Sequence, residues 1–328
     1  MTERREDEEE GLTYADAGVD IGESEAATAA LVSAVDEGSE TDGEYAGLLD
    51  IGDRYLGLAT DGVGTKLLVA EALSDYSTVG IDCIAMNVND LVAAGVEPVA
   101  FVDYLAVDEP DEAVATQVGE GLAAGAESAG IALVGGETAV LPEVVTGLDL
   151  AGTAAGLAPK DALFEGRAEP GDALVGWASS GIHSNGLTLA REAATRTHAY
   201  TDPFPGSERT VGEVLLEPTR IYTDLLEPMR AHGVRGAAHV TGGGWTNLSR
   251  LGECRYVVDD PFPVHDVFGF VQEEGDVTDE EMHRTFNMGT GFVAALPEGA
   301  ERLADVTDGR VIGRVNGGEG VEIRGLSL

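Results

Sequence analysis

Short apolar runs recur along this chain, stretches of helical spacing lie between them, and glycine marks most of the junctions. That alternation restricts the fold more than any other feature, because each run needs a sheet partner and each helix a sheet face to cover. Residues 99–106, 148–157, 173–178 and 292–296 read as strands, and 45–58 as two short strands around Gly52-Asp53. Residues 131–134 are expected to form a short buried strand running into Gly135-Gly136. Helices are expected over 24–35, 84–94 with Gly95 as the stop, 111–129 closed by Gly130, 186–196 and 217–232. Residues 78–84 suit either a strand or the start of a helix. No fixed-period repeat is present. The fold class that follows is α/β (α+β), and 328 residues suffice for two domains. Residues 159–171 combine two prolines, several charges and Gly166 ahead of a new apolar run, which places the domains at 12–158 and 159–328. Residues 1–11 are expected as a disordered acidic tail and 36–44 as a mobile loop.

Charge narrows the function. Sixty acidic residues against 19 basic ones give a formal net charge of −41. Such a polyanion does not coat nucleic acid or settle on an anionic membrane. A small anionic substrate would need positive charge or a metal concentrated locally. Of the basic residues 17 are Arg, and only Lys66 and Lys160 are Lys. With an ordinary 43% hydrophobic content, this balance matches the proteins of salt-accumulating halophiles. Molar salt shortens the Debye length to about 3 Å and screens the self-repulsion. Cys83 and Cys254 are the only cysteines and no CxxC occurs, which fits a reducing cytoplasm better than a disulfide framework. Residues 1–10 hold no apolar core of a secretory signal. The uncharged run 173–190 carries three Gly, three Ser and an Asn, unlike a membrane span.

The sharpest local motif is TDGVGTK at 60–66. Gly62 and Gly64 let backbone N–H groups approach phosphate oxygens, Thr65 and Lys66 add a hydroxyl and an ammonium, and Asp61 suits Mg²⁺. It is not a P-loop, and an ordinary strand-to-helix turn would also carry such a sequence. A lone Lys in an Arg-using chain nevertheless favours a phosphate contact. Asp90 lies within NVND at 87–90 and Glu137 within GGET at 135–138. Alone each suits a helix-surface or helix-start charge; with Asp61 they make a carboxylate metal site. SSGIHSNG at 179–186 offers His183 as an acid, base or phosphate ligand, or as a turn with an exposed histidine. HVTGGG at 239–244 and FNMGTG at 286–291 are further glycine turns suited to an anion, while His198, His232, His265 and His283 read as surface or packing residues. No GxSxG, HExxH, Cys/His zinc spacing or strand-following GxGxxG occurs.

In order along the chain, YADAGVDI (14–21), TDGVGTK (60–66), GID (80–82), NVNDL (87–91), Glu97-Pro98, GGETA (135–139), SSGIHSNG (179–186), PTRIY (218–222), HVTGGG (239–244) and RTFNMG (284–289) resemble the phosphoribosylformylglycinamidine cyclo-ligase (AIR synthetase) family of purine biosynthesis. The resemblance runs from Leu12 to about Leu296. It implies a two-domain subunit whose amino-terminal domains pair into a β-barrel spanning a homodimer. It implies small-molecule substrates, ATP and Mg²⁺, and closure of an imidazole ring in formylglycinamidine ribonucleotide through a phosphorylated amide oxygen. It implies metal ligation by Asp61, Asp90 and Glu137. ATP and phosphate contacts fall to Gly62, Gly64, Thr65, Lys66, Asn89, Thr138, Ser184, Asn185, Thr241, Gly242 and Gly243. Lys66, His183 and His239 are the expected catalytic groups, with the choice between the histidines open. Three departures stand out: the stretch 35–59 is acidic and lysine-free where the family commonly has lysines and a glycine loop, Met288 replaces the usual Cys, and Val140-Leu141-Pro142 follows where Glu-Met-Pro is usual. Thiamine-monophosphate kinase and selenophosphate synthetase are the enzyme alternatives, the latter opposed by the absence of any Cys before Cys83. A non-catalytic nucleotide-binding or scaffold paralogue is the alternative of another class.

Overall fold

The alternation of strands and helices closes into two sheets. In the computed structural model, residues 11–18, 26–27, 30, 45–164 and 166–328 are described. The tail over 1–10 and the loop over 36–44 lie outside them; of the helix expected over 24–35, residues 26, 27 and 30 are described, and they are helical.

The first sheet holds β1 (Gly47–Asp50), β2 (Arg54–Gly62), β3 (Glu97–Val107), β4 (Ala132–Val140) and β5 (Leu148–Pro159), in the order β1-β2-β5-β3-β4. Helices α1 (Lys66–Leu73), α2 (Val79–Ala93) and α3 (Glu112–Ala129) accompany it. β3 and β4 are parallel and joined through α3; the other neighbours are antiparallel. Asp111 caps α3 by accepting from the N–H groups of Ala113 and Val114, and Gly130 ends it in the left-handed region at φ 72°. Residues 78–84 prove to be a helix start. Every residue of α2 except Ile81 and Asp90 is buried, because it packs on β2, β5, α3 and also on the second half of the chain. Its buried polar residues, Asp82, Asn87 and Asn89, are each hydrogen-bonded, as burial requires.

The second sheet holds β6 (Ala173–Ala178), β7 (Gly236–His239), β8 (Arg255–Val258), β9 (Thr290–Leu296), β10 (Arg310–Asn316), β11 (Gly320–Ile323) and β12 (Leu326–Ser327), in the order β12-β11-β8-β10-β6-β9-β7. Around it lie α4 (Leu187–Thr195), α5 (Val211–Leu215), α6 (Leu226–Ala231), α7 (Asp266–Gly275), α8 (Asp279–Thr285) and α9 (Ala300–Val306). Among the described residues no helix is long and apolar enough to cross a membrane.

Two expectations fail. The strand after α3 is longer than 131–134 and is not buried: β4, at the edge of the first sheet, is exposed at nearly every position, because little packs on its faces. The helix expected over 217–232 is confined to a 3₁₀ turn, Thr223–Leu225, and α6. Residues 218–222 are instead drawn out against α2, where Asp82 accepts from Thr219 N–H and Asn89 accepts from Tyr222 N–H.

Candidate active site

Asp61 stands near the end of β2, Asn89 and Asp90 in the last turn of α2, and His239 at the end of β7. α2 therefore brings residues of both sheets together. Asn87 Nδ2 donates to the Asp61 carbonyl at 3.2 Å, tying β2 to α2. His239 Nδ1 lies 3.0 Å from Asp90 Oδ1, and His239 is fully buried. Asn89 Nδ2 approaches His239 Nε2 at 3.4 Å while donating to the Arg220 carbonyl at 2.9 Å. These partners assign the proton of His239 to Nδ1, facing Asp90, and leave a lone pair on Nε2. Desolvation, then the neighbouring Asp90 charge, pushes the Asp61 carboxyl up to about 6. Its side chain retains contact with solvent, but protein surrounds the position closely enough to weaken hydration. No basic side chain forms an ion pair with it among the described residues. Asp61 and Asp90, two carboxylates near enough for the charge of Asp90 to act on Asp61, fit a divalent cation by donor chemistry.

Lys66 sits elsewhere than a phosphate ligand would. It is wholly buried, with Nζ 2.9 Å from Asp82 Oδ1 and 2.6 Å from the Glu217 carbonyl. Asp82 Oδ1 also accepts from the Thr219 N–H and hydroxyl, at 2.8 and 2.6 Å. Burial lowers the ammonium pKa and the Asp82 charge opposes that fall. The residue thus clamps the start of α1, through α2, to the extended segment at 217–219.

His183 is 1% exposed and holds a left-handed backbone at φ 69°. Its Nε2 accepts from Ser180 N–H at 3.2 Å, while buried Nδ1 has no partner. Burial, then the nearby His239, drives its pKa well below the ordinary imidazole value, so this ring is neutral. It lies 6.5 Å, centroid to centroid, from His239 and 6.4 Å from Tyr222.

Residues 43–158 match the family model of the AIR synthase related protein N-terminal domain, and 169–325 match that of its C-terminal domain. The phosphoribosylformylglycinamidine cyclo-ligase of Methanosarcina acetivorans is 48% identical over 318 residues, covering 94% of this chain and 96% of its own. That of Thermococcus kodakarensis is 45% identical over 338 residues, covering 97% and 99%. This chain belongs to the phosphoribosylformylglycinamidine cyclo-ligase family. The solved structure of AaThiL complexed with AMPPCP and TMP shares the cyclo-ligase fold at a TM-score of 0.71 and 17% identity, covering 94% of this chain and 96% of that one.

Within this cyclo-ligase chain, Asp61 and Asp90 come together and Glu137 stands apart. Register aligns Asp61, Gly152, Asp103 and Gly136 in one row across β2, β5, β3 and β4, and directly opposed residues share a face. Glu137 belongs to the next row, with Gly62, on the opposite face, and three strand spacings of ~4.8 Å separate the two backbones. Among the described residues no three His, Cys, Asp or Glu side chains form a metal cluster. Asp103, missed in the sequence, shares the face of Asp61, and burial raises its carboxyl pKa. A Cβ on Gly136 would lie 2.3 Å from Asp103 Oδ1, so the glycine keeps that carboxylate in place. The period-two pattern of β3, counted from buried Phe101, was the available signal for Asp103.

Gly64 is exposed at φ 69°, with open space where a side chain would lie. Thr65 Oγ1 bonds Thr188 Oγ1 at 3.0 Å, joining the cyclo-ligase turn to α4. Ser184 Oγ donates to Thr219 Oγ1 at 3.4 Å, since the Thr219 proton goes to Asp82, and Asn185 Nδ2 meets Met86 Sδ at 3.5 Å. Thr241 N–H donates to Asn247 Oδ1 at 2.7 Å, which shapes the Thr241-Gly242-Gly243 turn after β7. A Cβ on Gly242 would lie 3.4 Å from Asn185 Oδ1, so the two carboxy-terminal glycine turns adjoin. Thr138 lines a cavity of about 510 Å³ between the sheet and the helices, with Leu105, Val107, Leu148 and Tyr76. Cys83 is buried, and desolvation followed by the charges of Asp103 and Asp61 raises its pKa, so it stays protonated.

Proposed function

We propose that this chain closes the imidazole ring of 5-aminoimidazole ribonucleotide from formylglycinamidine ribonucleotide, with ATP converted to ADP and phosphate. Membership of the cyclo-ligase family supports the overall reaction; the Asp90–His239 pair beside Asp61 carries the assignment of roles. The γ-phosphoryl group passes to the amide oxygen, breaking its bond to ADP and forming an O–P bond. An amidine nitrogen then attacks the activated carbon, and phosphate leaves with that oxygen. His239 Nε2, oriented by Asp90 through Nδ1–H, accepts the proton released by the attacking nitrogen. Its present contact with Asn89 is long enough to yield to substrate. His183, held neutral, donates from Nδ1 and bears no charge through the cycle. Asp61 and Asp90 would hold Mg²⁺, which neutralises the nucleotide phosphates. Lys66 acts as a positioning group that fixes the phosphate turn to residues 217–219.

The cavity beside Thr138 suits the nucleotide base: its floor is apolar, and Glu71, Glu109 and Glu112 at its rim accept hydrogen bonds from amino and hydroxyl groups. The exposed side of the first sheet carries Leu58, Val102 and Tyr104, each at least 40% exposed, which supports a homodimer formed through that face. Free, buried Cys83 and Cys254 suit a reducing cytoplasm. The −41 charge favours a salt-rich one, and transfer from molar to dilute KCl should lower the melting temperature; an unchanged value would remove the halophilic reading.

The deciding assay mixes the protein in molar KCl with the ribonucleotide, ATP and Mg²⁺ and follows both products. One aminoimidazole ribonucleotide per ADP is expected. Folded protein that binds ATP and forms neither would be a scaffold instead.

A further inference from the structure

The ribonucleotide substrate carries a phosphate monoester that takes no part in the bond changes, and a dianion entering a chain of charge −41 needs a cation of its own. Lys66 is not available, since Asp82 and the Glu217 carbonyl engage its ammonium in the core. We infer that Arg220 binds the 5′-phosphate of the ribonucleotide substrate, an assignment that rests on the cyclo-ligase reading.

Several observations meet at this residue. At least eight other arginines, among them Arg209, Arg255 and Arg314, are ion-paired to carboxylates. Arg220 has no carboxylate partner among the described residues, although acids outnumber bases threefold in the chain. It is half-buried, and a partly desolvated guanidinium without a counter-charge is stabilised when an anion binds. One donor, Nη1, reaches the Ala178 carbonyl at 3.1 Å, while the guanidinium carbon lies 5.0 Å above the Tyr222 ring. Tyr222 also donates its hydroxyl to the Ala178 carbonyl at 2.9 Å. The planar fork is therefore held at its edge and face, with further N–H groups unspent for a bidentate phosphate contact. Its backbone is equally fixed, because Thr219, Arg220 and Tyr222 are all bonded to Asp82 or Asn89 of α2. The same ring of Tyr222 lies beside His183, whose buried Nδ1 is a second donor without a partner. The Arg220 carbonyl and His239 Nε2 thus both meet the Asn89 amide, while Asp61 and Asp103 lie in one row of the first sheet. Two anionic substrates would then meet with their charges handled by different groups.

The test is a two-by-two comparison of kcat/KM: wild type and Arg220→Gln, each with the ribonucleotide and with its dephosphorylated riboside. A charge-assisted bidentate contact predicts a loss of about 30-fold or more on the ribonucleotide, less than about threefold on the riboside, and an ATP KM within about twofold of wild type. Equal losses on both substrates, or no loss on the ribonucleotide, would overturn the inference. If Arg220→Gln fails to fold, Arg220→Lys carries the comparison: a loss of about three- to tenfold confined to the ribonucleotide is expected, since an ammonium lacks the fork, and a uniform or absent loss overturns it. Wild-type protein that forms no product would instead defeat the cyclo-ligase reading itself.

Discussion

β4 and β9 are both apolar, glycine-bearing strands, and they end in opposite surroundings. All seven residues of β9 are buried, between β6 and β7. β4 has one neighbour, and nearly all its side chains meet solvent. Both sheets end in edge strands, but the first also presents an exposed apolar face, with Leu58, Val102 and Tyr104. Composition did not make that difference; what covers each strand did, since β7 is also an edge strand and every one of its residues is buried. An exposed edge and face of this kind invite a partner of the same kind.

Substitutions can break this comparison or sharpen it. Ala294→Asp in β9 places an unpaired charge in the core and should cost at least ~4 kcal/mol of stability, whereas Val134→Asp in β4 should cost under ~1 kcal/mol in urea unfolding of the dilute protein. Similar losses at both sites would erase the contrast. Lys66→Met, at the join between the halves, strands Asp82 and should remove ~3–5 kcal/mol, with Lys66→Met/Asp82→Leu recovering part of it. A single-mutant urea midpoint equal to wild type would show the ion pair to be dispensable. Tyr104→Glu on the open face should weaken self-association by about 100-fold in sedimentation while circular dichroism stays native; undisturbed association would place the interface elsewhere.

The smallest effect concerns His183. Its folded pKa lies below the unfolded one, so the neutral ring contributes stability that is complete above about pH 6.5 and lost as pH falls towards the folded pKa. His183→Asn tolerates the left-handed backbone and cannot titrate. Denaturation between pH 7 and 5 should therefore show a shallower decline in the variant, by at most ~1.4 kcal/mol per pH unit. Parallel declines would mean that His183 does not titrate across folding.

Strand and helix positions were legible because period and glycine stops are local. Gly130 and Asp111 bound α3 as read. Burial was not legible: residues 131–134 look like a buried strand whether or not anything covers them. Residues 217–222 have helical spacing, yet Asp82 and Asn89 of α2 claim their N–H groups, a tertiary event with no mark in the local pattern. The site followed the same rule. Rarity singled out Lys66, but its partner Asp82 is recognisable only once α2 is folded beneath α1. Asp90 and His239 are 149 residues apart, and only the resemblance to the family brought them into one list of candidates before the fold brought them to 3.0 Å.

The burial of Lys66 also gives the chain a simple reporter. Of its two lysines, only Lys160 has its side chain open to amine reagents in the folded state, at 42% exposure against none for Lys66. Acylation at Lys66 would therefore count the molecules whose two halves have parted, and the ratio of the two modified peptides in a mass spectrum would measure that opening without any probe being introduced.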